Sequence, residues 1–180
     1  VTMRRLELTL LFCCIASLPA TGPARSHDDG LALDNQPPYA GDGWTESEGG
    51  SPSISFPSDS VSLRSWIPLH DFHASATDGN DCWGYTSPSG REYALMTMSN
   101  AISFVDITNP SVPSIVNTFS EPSSLWHDVK TYQNFAYSVN ESSGGVRVYN
   151  MSNIDNGSVS YVGSTTTGGS SASHNVAINT

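Results

Sequence analysis

Asn80-Asp81-Cys82, His127-Asp128-Val129 and His174-Asn175-Val176 are three versions of one phrase, opening at positions 80, 127 and 174 and so 47 residues apart each time. Behind the first two comes an apolar run with the same alanine, Tyr93-Ala94-Leu95-Met96-Thr97-Met98 and then Phe135-Ala136-Tyr137-Ser138-Val139. Ser103-Phe104-Val105-Asp106-Ile107-Thr108 is answered by Val146-Arg147-Val148-Tyr149-Asn150-Met151-Ser152, and Pro113-Ser114-Ile115-Val116-Asn117-Thr118 by Ser160-Tyr161-Val162-Gly163-Ser164-Thr165. Four short apolar runs per unit, repeating at this period, predict four-stranded antiparallel blades of a β-propeller. A single such sheet cannot bury its own face, so each unit calls for a neighbour.

The expected strands of the first unit are Asp81 to Thr86, Glu92 to Met98, Ile102 to Ile107 and Val112 to Phe119. Ser87-Pro88-Ser89-Gly90 supplies the first turn, and Pro110 ends the third strand because proline cannot donate to a ladder. The units span about 81–119, 126–165 and 173–180, the last holding only a first strand. The fold class is therefore all-β, a propeller-like array of about two and a half blades. Val61 to Leu69 resembles a fourth strand, of the kind that closes a ring by joining the last blade. A ring needs about four blades, so the chain is expected to be a piece of a longer protein.

Several ordered phrases across 61–180 resemble the LVIVD-repeat proteins of the "choice-of-anchor B" type. They are Asn80-Asp81-Cys82-Trp83-Gly84-Tyr85, Gly90-Arg91-Glu92-Tyr93-Ala94-Leu95, Ser103 to Pro110, Ser124-Leu125-Trp126-His127-Asp128-Val129-Lys130 and Ala172-Ser173-His174-Asn175-Val176. The resemblance implies a secreted or surface-displayed β-propeller with a variable C-terminal anchor. It carries no established activity with it.

The N-terminus agrees with export. Met3-Arg4-Arg5 precedes an apolar run from Leu6 to Leu18, and small residues follow to Ala24, the layout of a signal peptide over 1–24 whose core is too short to span a bilayer. Residues 25–60 are acidic and rich in Gly, Ser and Pro, which predicts a disordered leader that packs against nothing. Within the signal lie Cys13 and Cys14, leaving Cys82 alone; it fills the slot of Val129 and Val176, so a buried strand position is expected. The formal charge of −10 becomes about −11 once Arg4, Arg5 and Glu7 are removed. A surface this acidic repels phosphate backbones and anionic lipid, disfavouring nucleic acid and membrane-surface partners and leaving an extracellular protein or a carbohydrate. Asn140, Asn150 and Asn156 each open a glycosylation sequon.

The polar residues that recur at the blade period are the candidate site. Asp81, His127, Asp128, His174 and Asn175 open the first strands, which in a propeller line the central channel. One reading gathers Asp81, His127 and His174 at one mouth around a cation or polar ligand. The other has each side chain capping a strand or bonding to the adjacent blade. His70-Asp71-Phe72-His73 is expected in solvated loop, and Trp66, Trp83 and Trp126 are read as blade packing ahead of sugar platforms. No cofactor is called, with calcium at Asp78-Gly79-Asn80-Asp81 the single exception left open. No nucleophile elbow, zinc-protease helix, paired Cys motif or P-loop is present. Two functions compete: a non-enzymatic binding, adhesion or structural module, and an extracellular hydrolase or lyase completed by further blades.

Overall fold

The computed structural model describes residues 39–44 and 63–179; the expected signal peptide lies outside them. Alternating apolar residues and short turns give two four-stranded antiparallel meanders. The first sheet holds β3 (Gly79–Thr86), β4 (Glu92–Met98), β5 (Ala101–Asp106) and β6 (Ser114–Ser120), hydrogen-bonded in chain order. The second holds β7 (His127–Tyr132), β8 (Phe135–Asn140), β9 (Val146–Asn150) and β10 (Ser160–Thr165), again in chain order. The all-β class and both four-stranded spans follow the sequence pattern; the two sheets do not close into a ring.

Chain chemistry sets the strand ends. Pro113 keeps Val112 out of β6, and Val112 instead donates to the Asn109 carbonyl at 2.9 Å while the Asn109 side chain accepts from the Ser111 N–H at 3.1 Å. Gly145 joins β8 to β9 at φ 64°, and a Cβ there would collide with the Thr165 carbonyl oxygen. Gly145→Ala should therefore lower stability by about 1–3 kcal/mol in chemical denaturation, from backbone strain plus displacement of β10. An unchanged midpoint would show that the turn relaxes freely.

The two sheets bury their core between them. Tyr93, Leu95, Ile102 and Phe104 of the first meet Val129, Ala136, Tyr149, Met151, Ile154 and Val159 of the second. Phe104 meets Phe119 edge-on at 6.0 Å between ring centres, and both lie against Tyr149 at 5.6 and 5.1 Å. β3 and β7 run side by side across this seam.

Ala94 and Ala136 hold equivalent registers, Ala94 opposite Gly84 and Val105, Ala136 opposite Thr131 and Tyr149. The shared alanine predicts equivalent buried positions, and here the structure differs: Ala136 is fully buried and Ala94 only half-buried. Ala136 faces the first sheet. Among the described residues, the matching face of the first sheet is covered by a small cluster of Leu69, Phe72 and Ala76 over Met96, Met98 and Ala101.

Three further expectations need correction. Within the segment read as disordered, β1 (Tyr39–Trp44) pairs antiparallel with β2 (Leu63–Trp66), Tyr39 opposite Trp66 and Trp44 opposite Leu63. Strand pairing satisfies main-chain groups and does not need the apolar composition on which the reading relied. Leu69–Phe72 forms one helical turn, α1, where loop was expected. Residues 173–179 carry no strand, because no described segment pairs with them.

Candidate functional site

The seam between the sheets is clasped by polar groups at four places, and these groups hold most of the candidate residues. The deepest centres on Glu121, the residue after β6. Its carboxylate is buried and accepts from His127 Nδ1 at 3.1 Å, from the Tyr149 hydroxyl at 2.6 Å and from the Ser138 hydroxyl, with Arg147 Nε 3.5 Å away. Burial pushes the Glu121 pKa up, but the hydrogen bonds from His127, Ser138 and Tyr149 outweigh it and hold the carboxyl below its ordinary value. The same environment raises the Tyr149 pKa, first through burial and then through the Glu121 charge. Tyr149 therefore stays a neutral donor.

The inner clasp joins β3 to β7. Asp81 Oδ2 accepts from the Val129 N–H at 3.2 Å and from Lys130 Nζ at 3.0 Å, and the same ammonium bonds Asp128. The Trp83 ring lies 4.5 Å from Lys130 Nζ. Burial works to raise the Asp81 pKa, and the hydrogen-bond set of Asp128, Lys130 and the Val129 N–H brings it below normal. Asp128 repeats the contact one unit on, its Oδ2 accepting from the Val176 N–H at 2.6 Å.

The outer clasp is Asp155, in the 3-10 turn Ile154–Asn156 between β9 and β10. It accepts from the Tyr93 hydroxyl at 2.7 Å and the Ser87 hydroxyl at 3.1 Å, while Arg91 donates to its carbonyl at 2.6 Å and pairs with Asp106. Asn117 adds a fourth tie, accepting from the Val159 N–H at 2.7 Å.

The five sequence candidates thus part company. Asp81 and Asp128 are brought together by Lys130, but His127 turns inward to Glu121. His174 is exposed, bonded to Glu141 at 2.7 Å and 5.5 Å from the Trp126 ring, and Asn175 is exposed beside it. The expected common face of Asp81, His127 and His174 does not form, because each has its own partner. Among the described residues no three His, Cys, Asp or Glu side chains converge as a metal site. At the calcium candidate, the Asn80 side chain donates to the Leu125 carbonyl. His73 bonds Ser120 at 3.1 Å, and His70 lies 3.3 Å from Asp71.

Other expectations change with the tertiary setting. Cys82 is exposed, not buried: β3 is an edge strand, and Cys82 lies on the face turned from the core whereas Val129 is fully buried. Trp83 and Trp126 are 43% and 48% exposed, so neither is a packing residue of a sheet interior. Asn140 is fully buried and its Oδ1 accepts from the Ser142 and Ser143 N–H groups, both at 2.9 Å, which leaves no room for a glycan. Asn150 is half-buried within β9, its Oδ1 accepting from the Ser152 N–H at 2.8 Å, and Asn156 is exposed.

Glu121 and Asp155 escaped the sequence reading because they lie outside the repeated phrases, whereas Asn117 and Lys130 lie within them but were not singled out. Lys130 carried a usable signal as the single lysine of the chain, two residues after Asp128. Among the described residues no helix is long and apolar enough to cross a membrane. Compared with known proteins, the chain matches no family model, no curated protein and no solved structure.

Proposed function

We propose that this chain belongs to a secreted or cell-surface β-propeller of the LVIVD-repeat kind, acting as a non-enzymatic binding, adhesion or structural module. The observation that carries this reading is the repeated clasp. Asp81 holds the Val129 N–H and Asp128 holds the Val176 N–H, each 48 residues on. Aspartates recurring at the blade period thus tie the opening of one unit to the backbone of the next, a structural use of the repeated polar position.

A cavity of about 320 Å³ on the outer face of the second sheet supports the same reading. Tyr132, Tyr137 and Val176 line it, and by register they correspond to Tyr85, Leu95 and Val129 of the filled seam. A further sheet of the same repeat would complete a second seam there. The competing reading is an extracellular hydrolase or lyase with a channel-mouth site completed by further blades; His127, whose side chain is 0% exposed, gives it no accessible group here.

The full-length protein should be secreted and should bind saturably on glycan or extracellular-protein arrays without turning over polysaccharide or ester substrates. Asp128→Ala should cost about 1–3 kcal/mol of stability, since it strips a buried acceptor from Val176 and Lys130. Turnover of any of these substrates by the purified protein would overturn the non-enzymatic reading.

A further inference from the structure

His127 opens β7 directly opposite Asn140, which closes β8. Both side chains are sealed from solvent. The ring orientation of His127 is set by Glu121, whose carboxylate faces Nδ1 at 3.1 Å, so Nδ1 carries the proton and donates. Nε2 is buried and has no hydrogen-bond partner among the described residues. A second proton there would be a buried N–H without an acceptor, the costlier state, so Nε2 presents its lone pair.

Asn140 has the opposite polarity. Its Oδ1 accepts from two backbone N–H groups, which fixes the amide orientation and leaves Nδ2 as the free end. Nδ2 is also buried and has no partner among the described residues. Directly opposed residues in an antiparallel pair bring their Cβ atoms within about 4.5–5.5 Å. Just beyond the pair, the Glu141 N–H donates to the Trp126 carbonyl at 3.3 Å.

A buried donor and a buried acceptor at one strand end select their ligand by polarity. A metal ion on Nε2 would meet the N–H groups of Asn140, an anion would meet the imidazole lone pair, and an apolar group would leave both unsatisfied. We propose that one buried water bridges the two side chains, accepting from Asn140 Nδ2 and donating to His127 Nε2. This hydration site completes the Glu121 clasp and keeps His127 in its Nδ1–H form.

The test is nitrogen-15 NMR of the histidine rings in the full-length protein at neutral pH. The expected spectrum has His127 Nδ1 protonated and Nε2 at the downfield position of an unprotonated nitrogen, with a cross-peak from the ring to a long-lived water. Asn140→Asp puts an acceptor where the donor stood, so Nε2 should become protonated at the same pH and its signal should move upfield. If that variant does not fold, the wild-type spectrum decides alone. A protonated Nε2 in the wild type, or an unprotonated one with no water cross-peak, overturns the proposal.

Discussion

Glu121→Ala is expected to cost about 3–5 kcal/mol of unfolding free energy, the scale for removing one partner of a buried charged cluster. The carboxylate is where three donors of the second sheet meet, and alanine would leave His127 Nδ1 and the hydroxyls of Ser138 and Tyr149 buried without their acceptor. Glu121→Gln keeps an acceptor oxygen for part of the set and should cost less. The two variants also separate charge from hydrogen bonding. Because the folded pKa of Glu121 lies below its unfolded value of about 4.3, the carboxyl contributes stability that is complete above that pH. This contribution is lost as pH falls through the depressed folded value. Glu121→Gln should therefore flatten that part of the acid limb in denaturation profiles. A loss below about 1 kcal/mol for Glu121→Ala, or an acid limb for Glu121→Gln that superimposes on wild type, would show that the clasp contributes nothing net.

Phe104→Ala should be as damaging, at about 3–5 kcal/mol, because the ring is fully buried at the centre of the seam. It touches Phe119 of its own sheet and Tyr149 of the facing one, so its loss opens a cavity that neither sheet can close alone. Val112→Ala is the control: 65% exposed in a turn, it should stay within about 0.5 kcal/mol of wild type. Both are measured by urea denaturation on the same protein. Equal effects at the two positions would mean that the sheets are held by their turns and not by the core between them.

Glu121 and Cys82 mark where sequence reasoning stops. The Glu121 partners lie 6, 17 and 28 residues away, at spacings unrelated to the repeat, and only the docking of one sheet on the other brings them to one carboxylate. Cys82 shares its slot in the repeat with Val129 but not its surroundings, since the core lies on opposite faces of successive sheets. Asn140 fails as a sequon for the same reason. Its tripeptide is intact, but the strand end that carries it is folded inward.

The strands themselves were legible. Alternation of side chains, proline at a strand end and a 47-residue period are local or near-local facts, and they specify eight strands in two meanders without any knowledge of packing. The pairing of β1 with β2, the division of the recurrent polar residues among separate clasps and the burial of His127 were decided only by the tertiary structure. The physical reason is that a repeat dictates what each sheet looks like, whereas burial and hydrogen-bond partners depend on what covers each face.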